Sequence, residues 1–228
     1  MTRMLESLKS IVFPDLCVAC RTKRPKVDEE LCRACLAHLP FVQLPEDAAA
    51  ALAGKEQFPE MVSKFYSLFY YTKDSYVAEM IHYIKYDGLY RIGRYLGRLM
   101  WEKQLKDLNL DGYALVPVPI HPKKKRKRGY NQAEEIAKGI SEASQLPLIP
   151  NLLVRTSDTI SQTKKDRGDR TAILGRAFDL NPEHITYPQK IILVDDVVTT
   201  GSTIAACTSK LAKCNPEKIV VVSLGVSI

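Results

Sequence analysis

The chain has 228 residues, 46% apolar and 26% charged, with 11 Gly and 13 Pro. These are the proportions of an ordinary globular protein and exclude the disordered, collagen-like and membrane-spanning classes. The formal charge is +7, yet Lys123, Lys124, Lys125, Arg126, Lys127 and Arg128 lie without an acid between His121 and Asn131, so a near-neutral body carries one cationic ridge suited to a polyanionic partner.

Taken in chain order, Met1, Met4, Leu5, Leu8, Ile11 and Val12 recur at helical spacing ahead of Pro14 and predict a short amphipathic helix. The opening residues lack the apolar run and small-residue cleavage site of an export signal, and no segment reaches the ~18 apolar residues of a membrane helix, so a cytoplasmic setting is expected. Cys17, Cys20, Cys32 and Cys35 then form two C-x-x-C knuckles eleven residues apart. That spacing lets four thiolates converge on one Zn²⁺, whereas a redox C-x-x-C is expected once, opening a helix. A closed four-sulfur site has no open coordination position, so the expected zinc is structural and folds a segment too small for its own core.

Residues 41–60 are rich in Ala and Pro without a clean period and read as a connector holding at most one helical turn. The chain thus divides into an N-terminal helix and zinc module over 1–40, a connector over 41–60 and a main domain over 61–228. In that domain an aromatic strand is expected over 64–71, and helices over 75–86 and 90–106 are split at Asp87-Gly88. A strand over 113–119 leads into the basic stretch, read as a loop, and then a helix over 132–143. A short strand over 152–154 precedes a polar loop over 156–170. Strand 190–194, helix 202–213 and strand 218–224 complete the series. Strands alternating with helices, with continuously apolar late strands, predict an α/β fold whose parallel sheet is covered on both faces. Cys207 and Cys214 fall on one predicted helix about 10 Å apart, beyond disulfide reach, and are expected as core thiols.

The most informative segment is Ile191-Ile-Leu-Val-Asp-Asp-Val-Val-Thr-Thr-Gly-Ser-Thr203, a buried strand that ends in two acids and feeds a hydroxyl-rich turn and a helix. Ligands of open α/β sheets bind at that end of the strands. Backbone N–H groups near Gly201 and the hydroxyls of Thr199, Thr200, Ser202 and Thr203 suit a phosphate, while Asp195 and Asp196 suit Mg²⁺ or paired sugar hydroxyls. A P-loop is excluded because no Gly precedes a Lys-Ser or Lys-Thr pair at the required spacing, and G-x-G-x-x-G is missing.

This segment resembles the phosphoribosyl pyrophosphate (PRPP) signature of type I phosphoribosyltransferases. The four-cysteine knuckle, Ile84-Lys-Tyr86, Pro117-Val-Pro119, Arg128-Gly-Tyr-Asn-Gln132, Gln162, Arg170 and Ala177-Phe178 together resemble ComF-type competence proteins over nearly the whole chain. The resemblance implies a type I phosphoribosyltransferase-like domain behind a zinc finger, acting in DNA uptake and natural transformation. It implies that Asp195 and Asp196 hold the ribose hydroxyls, directly or through Mg²⁺, and that Thr199, Thr200, Gly201, Ser202 and Thr203 cradle the 5′-phosphate. Residues 156–170 would be the loop that closes over the site. Thr199 stands where some purine-salvage relatives carry an Asp, which disfavours a purine substrate, and Ile173 stands where the ComF-type pattern has Asn.

The bases Lys85, Lys123, Arg126, Arg128 and Arg170 are the candidates for contact with pyrophosphate or DNA phosphate. The basic stretch has three open readings: a solvated surface, a pyrophosphate site, or a track for single-stranded DNA with Tyr83, Tyr86, Tyr90 and Tyr130 stacking on bases. Tyrosines at 83, 86 and 90 also fit a core stripe. The leading expectation is a competence protein that binds Mg–PRPP and contacts single-stranded DNA or its handling machinery. The alternative is an active phosphoribosyltransferase with an unidentified nitrogenous acceptor. No catalytic base is evident.

Overall fold

Six strands carry the architecture: β1 (Val62–Tyr71), β2 (Tyr113–Pro117), β3 (Leu153–Arg155), β4 (Phe178–Leu180), β5 (Lys190–Val198) and β6 (Lys218–Ser227). They belong to a computed structural model that describes residues 16–23, 25–26, 29–52, 59, 61–86, 89–156 and 177–228. The expected N-terminal amphipathic helix, Gln162, Arg170, Ile173 and nearly all of the expected closing loop lie outside the described residues.

Four strands pair in parallel in the order β1-β6-β5-β2, and β3 and β4 form a separate antiparallel pair. The parallel α/β fold expected from the sequence is therefore present. β5 and β6 are central and covered on both sides, which is why they read as unbroken apolar runs. Along β5, Ile191 and Leu193 join one buried cluster with Val198, Ile204 and Cys207. Ile192 and Val194 enter the other, with Ile84 and Ile136, as the two-residue pleat requires.

Both outer strands have their edges covered, which removes open templates for strand addition. On β1 the Val42 N–H donates to the Leu68 carbonyl and the Tyr70 N–H to that of Pro40. On β2 the Leu115 N–H donates to the Pro147 carbonyl, and the Leu115 carbonyl accepts from Ile149.

The helices are α1 (Arg33–Ala37), α2 (Pro45–Leu52), α3 (Tyr76–Tyr86), α4 (Tyr90–Met100), α5 (Pro122–Arg128), α6 (Gln132–Ser144) and α7 (Ser202–Leu211). Apolar residues of α3, α4 and α6 line one face of the sheet, and those of α2 and α7 line the other. At the α4–α6 crossing, a Cβ on Gly97 would lie 2.1 Å from the Ile136 carbonyl oxygen, and one on Gly139 would lie 2.0 Å from that of Arg94. Only glycine lets these backbones touch. Arg94 Nε donates to Glu135 at 2.7 Å and Arg98 to Glu142 at 3.2 Å, fixing the rotation of the two helices.

Three local expectations are revised. The basic stretch is a helix, α5: Pro122 enters its first turn, the His121 ring accepts the Lys123 N–H at 3.1 Å, and Gly129 stops it at φ 85°. These end signals outweigh the like-charge repulsion that suggested a loop. Within the expected connector, α2 is eight residues long and buries Ala48 and Leu52 in the sheet's second cluster. Cys207 is buried as expected, but Cys214 is only partly so. Among the described residues no helix is long and apolar enough to cross a membrane.

Candidate functional site

β5 continues past its apolar run through Asp195 and Asp196 to Val198. Consecutive strand residues point to opposite faces, so the two acids have different surroundings. Asp195 shares the α7 side with Val198, Thr199, Thr200, Gly201, Ser202, Thr203 and Ile204, which together line a small hollow. Its Oδ1 accepts the Asp196 N–H at 2.9 Å, and burial together with the adjacent Asp196 charge pushes its carboxyl up to about 8.

The turn is built by Gly201, whose φ of 81° makes it the N-cap of α7; it has no side chain to cap the helix, and the Ser202 N–H makes a long bond of 3.4 Å to the Thr200 hydroxyl. The first turn of α7 thus lines the hollow beside the Thr200 and Ser202 hydroxyls, which lie 3.0 Å apart. A helix start at a glycine, with two hydroxyls converging on it, has the donors and the dipole that suit an anion.

Asp196 faces α3 and α6. Its Oδ2 accepts from Lys85 Nζ at 2.7 Å and from Gln132 Nε2 at 3.3 Å, and its Oδ1 accepts the Val197 N–H at 2.8 Å. Burial works against the Lys85 ammonium, but Asp196, with help from Asp195, holds its pKa above the usual lysine range. The Arg128–Gln132 motif builds this side. Arg128 donates to Gln132 Oε1 at 2.8 Å and lies over the Tyr86 ring at 5.0 Å. The Tyr130 hydroxyl donates to the Ile84 carbonyl. Asn131 caps α6 through the Ala133 N–H and ties back to the Val118 carbonyl.

Beside Lys85 opens a cavity of about 480 Å³ lined by Lys85, Tyr86, Lys124, Lys127, Arg128 and Tyr130. Of the bases singled out from sequence, Lys85 and Arg128 meet there, while Lys123 and Arg126 are exposed on α5 and do not line it. Lys124 and Lys127 take their places, three residues apart on the helix. Reading the stretch as a loop hid this selection, because only a 3.6-residue period separates inward from outward lysines. Tyr86 and Tyr90 are exposed, so the tyrosines do not form a core stripe.

The four N-terminal cysteines come together with all their sulfurs within 4.8 Å of one another. The Cys32 N–H donates to Cys17 Sγ at 3.3 Å, and the Thr22 hydroxyl donates to Cys20 at 3.2 Å. Burial and the neighbouring sulfurs push the Cys35 thiol up to about 12, while the Thr22 hydrogen bond draws Cys20 down to about 5. Four sulfurs this close ionise together only around a cation, and the cluster is compatible with a metal such as zinc. Cys17, Leu31, Cys32 and Leu39 belong to the buried cluster of α3 and α4, and Arg21 bonds the Tyr83 hydroxyl on α3. The finger is thus docked on the domain beside the cationic side of the sheet.

Residues 118–225, which hold the turn and both acids, match the phosphoribosyl transferase domain family. The parallel sheet and this match define a protein with a phosphoribosyl transferase domain.

Relatives narrow the class. The chain is 32% identical over 146 residues to competence protein F of Haemophilus influenzae, covering 61% of this chain and 63% of that protein. It is 26% identical over 155 residues to competence protein ComFC of Streptococcus pneumoniae, covering 68% and 65%, so it spans less than two thirds of both. With the DNA utilization protein YhgH of Salmonella typhi it shares 25% identity over 215 residues, 89% of this chain and 93% of that protein. In its phosphoribosyl transferase domain the chain is thus similar to these competence and DNA utilization proteins, and it carries a four-cysteine cluster in front of that domain.

Proposed function

We propose that the chain is a cytoplasmic protein that binds Mg–PRPP on the α7 side of β5 and takes part in handling DNA during uptake. The observation that carries the PRPP assignment is the junction of Asp195 with the hydroxyl-lined start of α7 at Gly201. The N–H groups and hydroxyls of Thr199, Thr200, Gly201, Ser202 and Thr203 hold the 5′-phosphate. Asp195 receives the ribose hydroxyls, and Asp196, fixed by Lys85 and Gln132, supplies the second negative charge of the pair. Mg²⁺, when bound with PRPP, neutralises the diphosphate, and the acid pair provides the carboxylates that attract it. Zn²⁺ in the four-cysteine cluster is structural, since all four ligand positions come from the chain.

The names of the relatives, two competence proteins and a DNA utilization protein, support a DNA-linked role. The contact with single-stranded DNA is assigned to the ridge of α5, where phosphates meet lysines and bases meet the exposed Tyr86 and Tyr90. Calorimetry with Mg–PRPP tests the site. Wild type binds, and Asp195→Asn/Asp196→Asn loses measurable binding; unchanged affinity in the double variant refutes the assignment. Pyrophosphate release over a panel of nitrogenous acceptors tests the alternative, an active transferase: release with any acceptor establishes turnover, and silence with PRPP bound leaves a binding protein.

A further inference from the structure

The cavity between α3 and α5 is larger and chemically richer than an anion site requires. Its walls contribute Lys124, Lys127 and Arg128, besides Lys85, whose charge is met by Asp196, and two tyrosines; none of its described lining residues is acidic. The cations are sorted by the helix. Lys125 turns away to Glu134 at 3.3 Å, whereas Lys124, Lys127 and Arg128 face inward, Lys124 and Arg128 half-buried.

The aromatic wall is ordered as well. The His82 and Tyr86 rings pack at 4.7 Å, tilted by 40°, and the Arg128 guanidinium lies 5.0 Å over Tyr86. Arg128 is held in that pose by its bond to Gln132, and Tyr130 by its hydroxyl bond to the Ile84 carbonyl and an edge contact with Tyr90. A guanidinium seated on a ring extends a stack on which a planar heterocycle can lie. A volume of about 480 Å³ falls within the ~300–1,000 Å³ of small-molecule sites. An inorganic anion has no use for the aromatic wall, and a neutral heterocycle has none for the charges of Lys124, Lys127 and Arg128.

We propose that this cavity is a site for a nucleoside phosphate, its base extending the Tyr86–Arg128 stack and its phosphate held by Lys124 and Lys127. The ligand is either a free nucleotide or the 5′-terminal nucleotide of a single strand. In its strand-end form the site rests on the proposed contact of α5 and Tyr86 with single-stranded DNA, in its free-nucleotide form it does not, and neither form requires PRPP to occupy the turn on the other face.

The test is calorimetry on the full-length, zinc-loaded protein with 5′-dTMP, thymidine, pyrophosphate and 5′-phosphorylated (dT)₆ as probes. 5′-dTMP should bind more tightly than either thymidine or pyrophosphate. Lys124→Glu/Lys127→Glu should weaken it at least tenfold and flatten its salt dependence, and the milder Lys124→Ala should act in the same direction. Tyr86→Ala should weaken 5′-dTMP severalfold and leave pyrophosphate unchanged. Unaltered melting temperatures show that the variants are folded. If (dT)₆ binds more tightly than 5′-dTMP with the same dependence on Lys124 and Tyr86, the ligand is a strand end; equal affinities identify a free nucleotide. Pyrophosphate binding as tightly as 5′-dTMP, no binding of either nucleotide probe, or indifference of 5′-dTMP to all three variants overturns the proposal.

Discussion

The two faces of the sheet are finished differently where β5 ends. On the α3–α6 face, Asp196 is wired to the protein: both oxygens are engaged, one of them by the Lys85 ammonium at 2.7 Å. On the α7 face, Asp195 sits against a turn that starts a helix at Gly201, with only a 3.4 Å bond from the Ser202 N–H to the Thr200 hydroxyl across it. One acid has been given its counter-charge by the fold, and the other meets donors arranged for something not part of the chain. A buried ion pair contributes little net stability once desolvation is counted, but leaving one member unpaired is costly. Asp196 is thus suited to a fixed electrostatic role and Asp195 to exchange of partners.

The largest expected effect tests the scaffold of the wired face. Gly139→Ala drives a Cβ into the Arg94 carbonyl and should cost about 3 kcal/mol, lowering the melting temperature by roughly 10 °C. A change under about 1 kcal/mol would mean that the α4–α6 contact is not as tight as described. Next comes Asp195→Asn, expected to weaken Mg–PRPP about 100-fold, the scale of a lost charged partner. The same change at Asp196 should be accompanied by lost stability, because it strands Lys85.

Lys85→Met should then destabilise the fold by about 2 kcal/mol, below the buried-pair range because the lysine is partly exposed. Urea unfolding at neutral pH measures it, and an unchanged midpoint would remove the distinction between the two acids. The smallest effect is a pH slope. Asp195 is raised from its ordinary value to about 8, so its protonated form favours the folded state. That contribution is full below about pH 4 and is lost as pH rises through 8. In the ligand-free protein this share of the melting temperature should fall between about pH 4 and 8 and level off above, and Asp195→Asn should flatten the fall.

Much of this was readable in the residues. The unbroken apolar runs of β5 and β6 announced a sheet covered on both faces, the knuckle spacing announced the cysteine cluster, and Val194–Thr203 announced the turn. Three things were not visible. Asp195 and Asp196 read as one unit, although the pleat alone separates consecutive strand residues. The lysine run read as a loop because charge density masked the end signals of His121, Pro122 and Gly129. The Lys85–Asp196 pair joins residues 111 positions apart, and only the packing of α3 against the end of β5 brings them together.

The most direct measurement is a crystal structure of the protein with Mg–PRPP bound. The account predicts the 5′-phosphate within hydrogen-bond distance of the N–H groups of residues 200–203, the ribose hydroxyls on Asp195, and the Lys85–Asp196 contact in place. A phosphate lodged among Lys124, Lys127 and Arg128 with the α7 turn empty would contradict it.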